Sequence, residues 1–130
     1  MGTGSLTFVY DEHKRPLLCL YRQYDGYPSG HGSELAEFLS KLTIIRGIGS
    51  NQSEFGRFAN GMGCLAAQIV SNFKTEVGGF YLYTTNTKDA GQDYEYHVYR
   101  DFVEVKNPDN VIFRGDYSAF LEYCSQEEFV

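Results

Sequence analysis

This chain of 130 residues has no tryptophan, three prolines, three cysteines and only 11 lysines and arginines. Each scarcity narrows what the protein can do. Against 17 acidic residues the 11 basic ones leave a formal net charge of -6 at pH 7. That balance argues against sequence-independent binding to DNA, RNA or anionic lipid, which needs many Lys or Arg to neutralise phosphates. The basic residues stand mostly singly, and the adjacent pair Lys14-Arg15 falls in a stretch that reads as a hairpin turn. Cys19, Cys64 and Cys124 form no CxxC pair and cannot all pair with one another, which points to a reducing compartment. Each lies on an apolar stripe, so the expectation is three buried free thiols. HxH and HExxH spacings are missing too, and a metal site would have to gather His31, His97 and Asp25 or Asp93 from distant segments. Neither metal nor cofactor is expected. No stretch approaches the roughly 18 apolar residues of a membrane span, and the first residues lack a signal peptide's basic segment and apolar run. Met1-Gly2 begins like a myristoylation signal, but Leu6 stands where that signal needs Ser or Thr. These absences predict a cytoplasmic protein, in the host cytoplasm if viral, with no membrane association.

What the chain has in excess is aromatic. Eleven Tyr and ten Phe make up 16% of it, while 42% hydrophobic and 22% charged residues are ordinary for a globular domain. Tyrosine joins a large apolar ring to a hydroxyl that wants a partner or water, which suits half-buried sheet faces and contact surfaces. The length fits one domain over residues 1–130, able to bury about two thirds of the surface its unfolded form exposes.

Leu6 to Tyr10 and Leu17 to Tyr24 read as strands of a hairpin, the second apolar on both faces and therefore central. Leu35, Phe38, Leu39 and Leu42 repeat at helical spacing, predicting an amphipathic helix near 33–43. Asn51 with Glu54 resembles a capping arrangement, and Phe55, Phe58, Met62, Leu65, Ile69 and Phe73 trace one face of a longer helix over 52–74. Gly56, Gly61 and Gly63 lie in that stretch; an interior helix glycine costs about 1 kcal/mol relative to alanine, so close packing against the sheet is expected to offset it. Phe80 to Thr85, Tyr94 to Arg100, Phe102 to Val105 and Val111 to Arg114 read as further strands, and Asp116 or Ser118 can cap a short final helix. The tail Glu127-Glu128 reads as solvated. Helices grouped between runs of strands predict an α+β fold: a mostly antiparallel sheet of five to six strands, two main helices on one face and a short C-terminal helix.

The segment between the hairpin and the first helix, Tyr21 to Gly32, is the most distinctive. Gly26, Gly30 and Gly32 allow backbone angles that other residues avoid, and Pro28 fixes one φ among them, so one defined loop shape is expected. Tyr24-Asp25-Gly26-Tyr27-Pro28-x-Gly30-x-Gly32 resembles the Asp-Gly-Tyr-Pro-x-Gly-x-Gly stretch of small uncharacterised proteins encoded in bacteriophage and bacterial genomes. Many of those carry His-Trp before the Asp-Gly, where this chain has Gln23-Tyr24. The resemblance implies a phage or phage-derived setting and supplies no activity.

Several chemistries meet in this loop. Backbone N–H groups at Gly30 to Gly32 open a helix N-terminus and suit an anion, but Glu34 and Glu37 already complement that dipole and neither nucleotide-binding glycine spacing is present. His31 with Asp25 as orienting partner is the candidate acid–base pair, with Cys19 or Ser29 as a conceivable nucleophile. The bland alternative is a structural turn in which Asp25 bonds nearby backbone N–H groups. Alternation puts Tyr81 with Tyr83 on one face of their strand, and Tyr94 with Tyr96 on one face of the next. If some reach the edge occupied by Tyr24 and Tyr27, an aromatic patch forms with Arg22 and Arg100 near it. Binding through Arg22, Tyr24, Asp25, Tyr27, Gly30, His31 and Gly32, to a protein partner or to a second copy as a homodimer, is the leading expectation. A small-ligand protein or hydrolase-type enzyme using His31 and Asp25 is the alternative.

Overall fold

The computed structural model describes residues 2–49 and 52–126, so the Asn51 cap and the Glu127-Glu128 tail lie outside the described residues. Six strands form the main sheet: β1 (Ser5–Tyr10), β2 (Pro16–Arg22), β5 (Phe80–Tyr83), β6 (Tyr94–Val98), β7 (Val103–Lys106) and β8 (Val111–Gly115). Their order is β5-β2-β1-β6-β7-β8, and every pairing is antiparallel except β1 with β6. A separate parallel pair joins β3 (Thr43–Ile45) to β4 (Phe58–Asn60). Three helices, α1 (Ser33–Ser40), α2 (Gly61–Phe73) and α3 (Tyr117–Gln126), complete an α+β fold. Among the described residues, no helix is long and apolar enough to cross a membrane.

Alternation along β1 separates two cores. Val9 joins Leu20, Tyr96, Val98, Val103 and Val105 from other strands with Leu35, Leu39, Met62, Leu65, Ile69 and Phe120 from the helices. Leu6 and Phe8, pointing the other way, meet Cys19 in a smaller cluster against Tyr10, Tyr21 and Ala90. A strand buried on both faces needs apolar residues at consecutive positions, which Leu6 to Tyr10 supply apart from Thr7.

The helical reading of 52–74 is corrected. Residues 55–57 form a turn, 58–60 a strand, and the helix begins at Gly61. Gly61 has φ +80°, which no right-handed helix continues through, and the carboxylate of Glu12 accepts the Met62 N–H at 2.9 Å. The helix start is therefore set by a residue of the β1–β2 turn. The glycine-packing expectation also fails at Gly56 and Gly63, where an added Cβ would meet nothing within 4 Å, while one at Gly61 would meet the Glu12 carboxylate at 3.2 Å rather than the sheet. Cys64, one position further on, is exposed, correcting the expectation of three buried thiols, whereas Cys19 and Cys124 are buried. The first helix stops at Ser40 rather than near 43, because Thr43 to Ile45 pair with β4. Asp116 does cap α3, its carboxylate accepting the Ala119 N–H at 2.8 Å.

Candidate functional site

The Tyr24–Gly32 loop is held by close contact rather than by glycine angles. Among its residues the left-handed conformation belongs to Asp25, at φ +62°, while Gly26, Gly30 and Gly32 do not use it. A Cβ on Gly26 would lie 2.8 Å from Gly4 C and Ser5 Cβ, one on Gly30 2.5 Å from the Asp25 carbonyl oxygen, and one on Gly32 3.0 Å from Cys124 Sγ. The glycines are thus required because other atoms occupy the space, which corrects the reading from backbone freedom. Gly26 N–H bonds Thr3 C=O at 2.8 Å, and its own carbonyl accepts the Tyr96 hydroxyl at 2.7 Å. Beyond Pro28 the chain makes one wide, π-type turn, with the Gly32 N–H reaching the Tyr27 carbonyl at 3.3 Å, and α1 follows directly.

His31 points inward from that turn and is fully buried. Its Nε2 lies 2.7 Å from Thr7 Oγ1 and its Nδ1 3.3 Å from Arg22 Nη1, with Phe73, Phe80 and Tyr96 around the ring. A guanidinium only donates, so Nδ1 accepts and the proton sits on Nε2, donated to Thr7. Burial first, and the Arg22 charge second, push the imidazole pKa down to about 3. Asp25 meets His31 through the backbone, its carbonyl accepting the His31 N–H at 2.8 Å, while its exposed carboxylate accepts the Tyr27 hydroxyl at 3.3 Å. The ring's polar partners are Thr7 and Arg22, and the side-chain pairing a general-base dyad needs is not the one formed.

Arg22 links this buried histidine to the surface. Its Nε donates to Tyr24 C=O at 2.7 Å, Nη1 donates to Glu34 Oε1 at 2.8 Å, and the guanidinium lies 5.0 Å from the Phe80 ring centroid. The Arg22 side chain is 13% exposed against 54% for Glu34. Arg22 also lines a groove of about 610 Å³ walled by Phe38, Phe55, Phe73 and Phe80, with Lys41 at its rim.

The tyrosines divide between surfaces. Tyr21 contacts Tyr81 and Tyr83 at ring separations of 6.2 and 5.1 Å, on the sheet face opposite Arg22. Tyr96 is buried in the main core and Tyr94 packs against it. Arg100 sits 3.8 Å from Glu12. A single patch combining these tyrosines with Arg22 and Arg100 is therefore not what the fold assembles. Tyr24 is 55% exposed, and Tyr27 is half-buried.

Strand β5 lies at the sheet edge and bears no charge, whereas β8 at the other edge carries Arg114. Gln23 N–H bonds Gly79 C=O at 2.9 Å, so by alternation Tyr21 with Tyr81 and Cys19 with Tyr83 exchange hydrogen bonds, and Phe80 and Leu82 turn their backbone groups outward. Phe80 is already satisfied: its N–H bonds Gly78 C=O, and its carbonyl accepts Lys74 Nζ at 2.9 Å. Leu82, 63% exposed, is the open position, with no hydrogen bond to its outward groups among the described residues.

One polar network escaped the sequence reading. Tyr10 hydroxyl lies 2.7 Å from His97 Nδ1, and His97 Nε2 lies 3.0 Å from Glu95 Oε1. A carboxylate accepts, so Nε2 carries the proton and Nδ1 accepts from Tyr10. Burial holds the His97 pKa below its ordinary value despite Glu95, and burial raises that of Tyr10. Spacing i, i+2 hinted that Glu95 and His97 share a face; the placement of Tyr10 required the β1–β6 pairing. Among the described residues, no group of three or more His, Cys, Asp or Glu could hold a metal ion.

In comparisons with known proteins, no family model, curated protein or solved structure matches the chain.

Proposed function

We propose that this is a non-enzymatic binding protein that receives a strand from another protein, or from a second copy of itself, along the β5 edge. The observation that carries this is the uncharged β5 edge, where exposed Tyr81, Leu82 and Tyr83 surround one open pair of backbone groups. Exposed apolar edges serve as templates for strand addition unless charge, proline or a cover blocks them, and here Lys74 closes only the Phe80 end. The Asp25–Gly32 loop acts in this scheme as a support at the end of β2, tied to the start of the chain through the Gly26 N–H to Thr3 C=O bond, with the Tyr24 ring against Gly2. With α1 and α2 taken as the cover of one sheet face, the edge beyond them stays open to a partner. A cytoplasmic, phage-derived setting, without non-specific nucleic-acid or membrane binding, fits the acidic composition and the loop resemblance. Full burial of His31 weighs against the hydrolase alternative, since a general base must reach a substrate.

Light scattering at micromolar concentration, paired with affinity capture from cells, tests the scheme. A dimer mass, or a specific captured partner, should be lost in Leu82→Pro and kept in His31→Gln. A strict monomer whose captured proteins are the same with and without the Leu82 substitution refutes it.

A further inference from the structure

We propose that the groove between α1, the C-terminal end of α2 and β5 binds a small monocarboxylate with an aromatic-sized apolar body, held through Arg22. Of the three guanidinium nitrogens of Arg22, Nε is committed to Tyr24 C=O and Nη1 to Glu34 and His31. Nη2 makes no hydrogen bond among the described residues, and the groove is the space that Arg22 lines. A largely buried guanidinium with spare donors favours an acceptor, and a carboxylate is the strongest common one. Below it, Phe80 is covered by the guanidinium itself, whereas Phe55 is half exposed and sits 6.4 Å from the Phe38 ring with open space between groove walls. About 610 Å³ lies within the usual range for small-molecule sites, which are mostly apolar with a few convergent polar groups.

Charge selects the ligand class. Glu34 and Glu37 at the rim oppose Arg22 and Lys41, so the groove holds two charges of each sign. A single negative charge can share Arg22 with Glu34, whose side chain is free to turn to water, but a phosphate dianion would meet both glutamates. The binding step forms one hydrogen bond from Nη2 to a carboxylate oxygen and involves no covalent change.

The test is calorimetric titration of the full chain with hydrocinnamate, its amide, and inorganic phosphate. Hydrocinnamate should bind saturably, and the uncharged amide about tenfold or more weakly. Phe55→Ala removes an exposed wall and should weaken hydrocinnamate several-fold without unfolding the chain. Glu34→Gln removes the competing carboxylate and should tighten it. Equal binding of acid and amide, weaker binding in Glu34→Gln, stronger binding of phosphate than of hydrocinnamate, or no saturable binding by hydrocinnamate each overturns the proposal. Leu82→Pro distinguishes this site from the β5 edge, because it should leave hydrocinnamate binding unchanged.

Discussion

Acid should loosen this fold through His31 well before the carboxylates titrate. In the unfolded chain this imidazole takes up its proton near pH 6.5, whereas in the folded chain burial and the Arg22 charge hold its pKa at about 3. Between those values the unfolded state binds one proton more than the native state, so unfolding free energy rises with pH at about 1.4 kcal/mol per unit. The contribution is fully present about a unit above pH 6.5 and is lost as pH falls towards 3. From pH 7.5 down to about 5, His31 alone should remove roughly 2 kcal/mol, a sizeable fraction of a typical domain's stability. Urea unfolding followed by tyrosine fluorescence at a series of pH values between about 7.5 and 5 measures it, and His31→Gln is the control. A glutamine amide can still donate to Thr7 and accept from Arg22 but does not titrate. His97, also held below its ordinary pKa by burial, adds a slope of the same sign to both proteins, so the difference between them isolates His31. Equal slopes in wild type and variant would refute the reasoning, as would a native His31 resonance that titrates near 6.5.

Glycine substitutions should divide by available space. Gly26→Ala and Gly30→Ala place a methyl against backbone atoms and should cost about 1–3 kcal/mol in urea unfolding, whereas Gly63→Ala, in open space within α2, should stabilise by roughly 0.5–1 kcal/mol. In native alkylation monitored by mass spectrometry, exposed Cys64 should label first. Cys19, buried and with its thiol pushed up to about 11, should react only on unfolding, and rapid native labelling of Cys19 would contradict its placement.

Much of the fold was legible. Six strands and the α+β class follow from period-two runs broken by turn residues, α1 from apolar spacing, and α3 from apolar spacing with the Asp116 cap. The misreadings share a cause. Phe55, Phe58 and Met62 fit a helical stripe, but Gly61 at φ +80° separates them, and the residue that ends the ambiguity is Glu12. The Thr43–Ile45 strand was too short to show a period of its own and exists because Phe58–Asn60 lies beside it. At the candidate site Arg22 was visible as a cation next to the loop, while its role as the lid over His31 depends on Glu34 and Phe80 coming from two other elements.

By itself the sequence determined the α+β class, the six strands of the main sheet and the approximate places of α1 and α3, and it carried an acidic balance that argues against sequence-independent nucleic-acid binding. Those properties arise from local sterics, side-chain period and summed charge, all of which are readable along the chain. Tertiary structure alone decided that His31 is sealed rather than presented, that the tyrosines split between two sheet faces, and that β5 keeps one open position at Leu82. Alternation tells that a strand has two faces but not which of them meets the helices, and a hydrogen bond such as Thr7 to His31 or Tyr10 to His97 exists only once strand register brings distant residues within about 3 Å.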